Sequence, residues 1–157
     1  MASDYFLKID GIDGESQDAK HKGEIDLQSF TWSEAQTGRP VGGGGAGRVT
    51  IGDFEVTKRI DQASPRLLLA VASGQHIKSA VLTARRAGKE QQEYLTYKFN
   101  DLLVSSYKTE ALAPEDPVDQ ISFNFGQIQV EYRPQKADGT LGPPIKAGWD
   151  VTRNQAI

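Results

Sequence analysis

The chain has 157 residues, no cysteine, and 18 Lys and Arg against 21 Asp and Glu for a net charge of −3, which suits one domain with a packed core. Disulfides, thiolate metal sites and a cysteine nucleophile are excluded, and so is the basic footprint of a nucleic-acid or anionic-membrane binder. The first residues lack the basic and apolar regions of a cleaved signal, and no apolar run nears the roughly 18 residues of a membrane span, so the reading is a protein made soluble in the cytoplasm that leaves the cell, if at all, without a cleaved leader and without membrane insertion.

In chain order, residues 5–9 predict a first strand, with Tyr5, Phe6, Leu7 and Ile9 apolar. Residues 10–23 carry the turn dipeptides Asp10-Gly11 and Asp13-Gly14 and read as a polar loop outside the core. Residues 24–35 predict a longer strand. Strict alternation leaves neither face apolar; a bulge near Gln28 places Ile25, Leu27, Phe30 and Trp32 together. Residues 37–48, TGRPVGGGGAGR, form a glycine-rich excursion that costs entropy to order and so asks for a partner. Residues 49–60 predict the returning strand, antiparallel to the one before.

Ser64 as cap, Pro65 at the first helical position and Gly74 as the stop predict a single helix with Leu67, Leu68 and Val71 as its apolar stripe. Strands follow at 77–84, 93–99 and 102–112, with turns expected at 85–89 and at Asn100-Asp101. Residues 113–119 read as a proline-rich acidic loop. Residues 121–132 alternate with period two, but Ile121, Phe123 and Phe125 give way to Ile128, Val130 and Tyr132 across Gly126, the signature of a bulge or bend. A last short strand is expected near Trp149. Seven or eight strands with one helix make an all-β domain, a sandwich or a barrel.

The strings that suggest chemistry fail their context tests. Asp10, Asp13, Glu15 and Asp18 lack the spacing of a calcium loop and read as a solvated turn. Gly42, Gly44 and Gly47 satisfy the dinucleotide fingerprint, but the strand before and helix after are missing. Ser105-x-x-Lys108 falls in a strand without companion motifs. His21 and His76, the only histidines, have no partner at metal-ligand spacing, and Pro114-x-x-Pro117 reads as a connecting loop. No catalytic, cofactor-binding or metal-ligating set emerges, and none is expected.

The segments at 14–38 (GESQDAKHKGEIDLQSFTWSEAQTG), 42–61, 64–88, 121–139 and 148–154 (GWDVTRN), in this order and spacing, resemble the haemolysin-coregulated protein (Hcp) family, the inner-tube subunit of type VI secretion systems. The resemblance covers nearly the whole chain as one domain, 1–157. It implies an all-β fold with one flanking helix, a β-barrel of two sheets similar to phage tail-tube proteins. It also implies a homohexamer whose rings stack into a tube, with the type VI sheath, the spike protein and small effectors carried in the lumen as partners, and secretion through that apparatus. Some members carry a C-terminal toxin domain, for which the residues after Trp149 leave no room, so a structural role and no enzyme is expected. By position, Gly38, Arg39, Pro40, Val41, Gly42, Gly43, Gly44, Gly45, Ala46 and Gly47 resemble the loop that contacts the next ring. Ser29, Thr31 and Ser33 become lumen candidates, and His21, Glu24 and Asp26 subunit-contact candidates. The competing readings are a monomeric barrel with a small ligand inside, against which Phe6, Phe30, Trp32, Phe54, Phe123 and Phe125 argue for a filled core, and a hydrolase resting only on the strings above.

Overall fold

The computed structural model describes residues 2–40, 47–87 and 90–157. Among these lie eleven strands and one helix. The first is β1 (Ser3–Ile9), with Phe6, Leu7 and Ile9 buried. Then come β2 (Ile25–Leu27), β3 (Ser29–Thr31), β4 (Glu34–Gln36), β5 (Val49–Ile51) and β6 (Phe54–Arg59). The expected bulge is at Gln28. β2 pairs with β1, β3 pairs with β6, and at the change of partner the Gln28 amide donates to the Thr57 carbonyl at 2.8 Å. The extra residue puts Ile25 and Leu27 in the core and lets Phe30 and Trp32 pack against it.

After the helix α1 (Ala63–Ser73) come β7 (His76–Arg86), β8 (Glu93–Glu110), β9 (Val118–Tyr132), β10 (Ile145–Asp150) and β11 (Gln155–Ala156). Nine strands form one ladder in the order β11-β10-β9-β8-β7-β1-β2, with β6 added to β9 and β3 to β6; β4 and β5 pair only with each other. The ladder is not hydrogen-bonded into a closed barrel; the circle is interrupted where β2 gives way to β3.

In place of the two sheets expected there is one nine-stranded ladder, beside the separate β4–β5 pair, and a line of phase shift divides that ladder into two halves. Inward residues step by three instead of two on three adjacent strands, from Ile77 to Ala80, Phe99 to Leu102 and Phe125 to Ile128, and these residues are in register with one another. At the line Asp101 takes φ 57°, a left-handed conformation that Asp tolerates better than most residues, and a Cβ on Gly126 would lie 3.2 Å from the Asp101 Cβ. The phase shift read at Gly126 is therefore real. The turn expected at Asn100-Asp101 is not: β8 runs unbroken through it, because its neighbours β7 and β9 shift phase in the same place. On one side of the line β9 pairs with β6, on the other with β10.

Phe54 is the hub of the core, with ring centroids of Phe30, Tyr97, Phe99 and Phe123 at 4.9–5.7 Å. The helix buries Ala63, Leu67 and Ala70, with Val71 packed beside them, and ends at Gly74 with φ 64°. Three expectations need correcting. Pro65 is the third residue of α1 and not its first. Leu68 is 55 % exposed and Leu69 61 %, so the stripe is built partly from alanines instead. Ser64 is not the cap: Gln62 holds that position without a side-chain cap bond, Asp61 Oδ1 accepts from the Ala63 amide at 2.9 Å, and Ser64 is the second helical residue, in a buried polar clasp.

That clasp joins β6, α1, β8 and β9. Lys58 and Asp119 are fully buried and paired at 3.0 Å. The Lys58 ammonium also donates to Asp61 Oδ1 at 2.7 Å, Ser64 Oγ at 2.9 Å and the Arg59 carbonyl at 3.1 Å. The Ser64 hydroxyl donates to Asp119 Oδ2 at 2.6 Å and Thr109 to Oδ1 at 3.1 Å. Burial opposes the charge on Asp119, but the bonds from Ser64, Lys58 and Tyr107 outweigh it and hold the carboxyl below its ordinary range. Asp119, expected in a loop, begins a strand instead.

Candidate functional site

The lumen candidates fall on the outward face of the strands that carry Phe54 and Phe123 inward. Alternation puts Ser29 and Thr31 outside, with Glu55 and Thr57 beside them on β6 and Gln120 and Ser122 on β9. With Ser106 and Lys108 of β8 they line a shallow hollow of about 380 Å³. Its side chains are mostly short hydroxyls and amides. A chain of hydroxyls leads away from the hollow: Ser122 lies 2.5 Å from Ser106 and 2.9 Å from Ser105, which donates to Asp53 at 2.6 Å. The structure brings Ser29 and Thr31 together but not Ser33, which follows a shift in register at Trp32 and lies toward the ribbon. Ser106, Gln120 and Ser122 were missed because their strand partners are distant in sequence; the period-two pattern in 121–132 was the available signal. Ser105 of the Ser105-x-x-Lys108 string lies in β8, bonded to Asp53 and Ser122.

The subunit-contact candidates divide. His21 is 7 % exposed and stacks on Phe6 with ring centroids 4.3 Å apart. Its Nδ1 lies 2.9 Å from Glu24 Oε2 and its Nε2 2.6 Å from Glu93 Oε1. His21 and Glu24 are thus engaged within the protomer. Residues 10–24 are also more than a solvated turn, which corrects the reading of this loop: Ile12, Gly14, Ser16 and His21 are buried. The physical reason is backbone pairing. The Gly14 amide donates to Gly23 O at 2.8 Å and the Ser16 amide to Glu24 O at 2.9 Å; a Cβ on Gly14 would sit 2.5 Å from the Glu24 carbonyl oxygen. The loop's acids hold it down. Asp18 accepts from Arg85 at 2.7 and 3.0 Å, which together with the Lys20 amide keeps its carboxyl well below the usual range, and Glu15 accepts the Gln62 amide at 2.6 Å. Arg85, expected in a turn, is buried within β7, stacks on Phe6 and also reaches Asp4. Asp26 is exposed on β2. Its pKa is raised, first by desolvation and then by Asp61, Asp18 and Asp4.

The described ends of the glycine-rich excursion, residues 37–40 and 47–48, continue a two-stranded ribbon. β4 and β5 pair Glu34 with Ile51 and Gln36 with Val49, and the Thr37 amide continues the ladder to Arg48 O at 3.2 Å. At Gly38 and Gly47 the two chains approach so closely that a Cβ on Gly38 would sit 2.5 Å from the Gly47 nitrogen. Gly38, Arg39, Pro40 and Gly47 of the stacking loop are described, whereas Val41, Gly42, Gly43, Gly44, Gly45 and Ala46 lie outside the described residues. Between the ribbon and the β9–β10 half of the ladder is a second hollow of about 590 Å³, lined mainly by Trp32, Tyr97, Trp149, Val49, Ile128 and Val130. This apolar hollow carries no sequence signal, because its walls come from five separate strands.

Among the described residues no group of three His, Asp or Glu stands close enough to hold a metal. Among the described residues no helix is long and apolar enough to cross a membrane. The family model described as type VI secretion system effector, Hcp, matches residues 6–132. The curated relative Protein hcp1 of Pseudomonas aeruginosa is 45 % identical over 161 aligned positions, covering 98 % of each chain. The crystal structure of Hcp1 from Salmonella typhimurium superposes with a TM-score of 0.84 at 36 % identity, covering all of both chains. A type VI secretion system effector from Yersinia pestis gives a TM-score of 0.79 at 34 % identity, covering 94 % of this chain and all of that one.

Proposed function

This chain belongs to the Hcp family of type VI secretion tube proteins, and we propose that it is the subunit of a homohexameric ring that stacks into the secretion tube. The outward hydroxyl face around Ser29, Thr31, Thr57 and Ser122 carries this reading. Folded proteins bury one face of such a sheet and usually wet the other with charged residues; here the wet face is mostly small and uncharged. A lumen wall of that kind offers a passing or stored effector weak, exchangeable hydrogen bonds rather than a fixed charge pattern. Ser33, beyond the register shift, sits where this wall meets the ribbon.

The free edge of β2, which ends the ladder and carries Asp26, is the surface for a neighbouring subunit, with Glu24 and the outer rim of the His21 loop beside it. The ribbon with Gly38, Arg39, Pro40 and Gly47 is the ring-to-ring contact. The sheath, the spike protein and small effectors complete the set of partners. The protein is made in the cytoplasm and leaves through the apparatus without enzymatic activity of its own. The interior around Phe54 is packed with aromatic rings, which disfavours a monomeric barrel with a ligand inside. Negative-stain electron microscopy of the purified protein tests the proposal. Six-fold rings with an open centre are expected; a uniform population of 17.2 kDa monomers at high concentration contradicts it.

A further inference from the structure

The ribbon marks one end of the molecule, and the 111–117 loop marks the other. On β6 and β9 the register runs from Phe54 opposite Phe123, next to the ribbon, to Arg59 opposite Val118, next to that loop. Ten residues of β9 separate Val118 from Ile128, a wall of the apolar hollow, which at about 3.3 Å per residue is roughly 30 Å of strand. The two ends are complementary. The ribbon end has the apolar hollow with Trp32, Tyr97 and Trp149 partly exposed, and beyond it the exposed Arg39 and Arg48. The loop end has Leu112, at 72 % the most exposed large apolar side chain among the described residues, flanked by the exposed acids Glu110, Glu115 and Asp116.

Building on the stacked-ring reading above, we propose that the occupant of the apolar hollow is the 111–117 loop of a second copy of this chain. Leu112 enters between Trp32 and Trp149, and Glu115 and Asp116 meet Arg39 and Arg48. Glu34 at the wall of the hollow repels the incoming acids and so directs them outward to the arginines. The contact joins two different surfaces, so it is heterologous and propagates as an open stack. It also explains why a lone two-stranded ribbon, marginal by itself, stands off from the ladder: the incoming loop packs beneath it.

The absence of cysteine makes the test direct. Leu112→Cys and Ala147→Cys place one thiol on the loop and one in the hollow, too far apart within a copy for a bond that needs Cα atoms within about 7 Å. Mild oxidation of the double variant is expected to give a ladder of covalent multimers, while each single variant gives nothing beyond a dimer. Adding Arg39→Glu and Arg48→Glu should remove the bands above dimer, and further adding Glu115→Lys and Asp116→Lys should restore them. Intact rings by sedimentation without a ladder, or a ladder indifferent to charge reversal, overturn the contact and leave the ring reading standing. Sedimentation of the unmodified protein as a monomer overturns the ring reading, and the contact with it.

Discussion

The 10–24 loop and the β4–β5 ribbon are both excursions between strands, both rich in glycine and polar residues, yet they end in opposite states. The first is closed on its own molecule: its amides pair internally, Asp18 grips Arg85, and His21 is held between Phe6, Glu24 and Glu93. The second pairs only with itself and overhangs an apolar hollow. A segment whose polar groups and apolar faces find partners within the chain serves the stability of the subunit. A segment that leaves them unmatched is the one that the proposal above offers to another molecule. The Lys58–Asp119 clasp belongs with the first kind.

The most severe way to break this contrast is Asp119→Ala. It leaves the Lys58 ammonium buried without its main counter-charge, for which about 3–5 kcal/mol of destabilisation is expected. Chemical denaturation measures it, and a loss below about 1 kcal/mol would mean the clasp is far wetter than its burial indicates.

Acid should sharpen the contrast next. The carboxyls of Asp119 and Asp18 titrate below their ordinary range when folded. Their contribution is present above the unfolded carboxylate pKa of about 4 and is lost as pH falls below it toward the folded values. Asp26 has the opposite sign: its raised pKa withdraws stability as pH rises through it. The melting temperature should therefore fall below about pH 4. In Asp18→Asn that acid limb should be shallower, with a lower plateau at neutral pH. An unchanged acid limb would remove the Arg85 grip from the account.

The least effect on stability is expected from the ribbon. Replacing residues 37–48 by a tight two-residue turn removes none of the described core residues, and the unfolding free energy should change by no more than a surface substitution, about 0.5 kcal/mol.

What the sequence made legible follows the same division. Hydrophobic phase revealed the bulge at Gln28 and the shift at Gly126, because each is written in residues a few positions apart. The helix stop at Gly74 is likewise local. Residues whose state is set from afar were misread. Ser64 meets Asp119 across 55 positions, and His21 meets Glu93 across 72. Asn100 and Asp101 look like a turn until β7 and β9 are seen to bend with them. The polar loop at 10–24 reads as solvated because nothing nearby announces Arg85. Ser29 and Thr31 were found by alternation, whereas the rest of their hollow comes from β6, β8 and β9.

On the proposed function the core builds the ring and the ribbon joins ring to ring. Electron microscopy of the variant shortened at 37–48, beside the intact protein, tests it most directly. Both should form six-fold rings of the same diameter, and only the intact protein should form stacks. A shortened variant that no longer forms rings, or one that stacks as well as the intact protein, would contradict that division of labour.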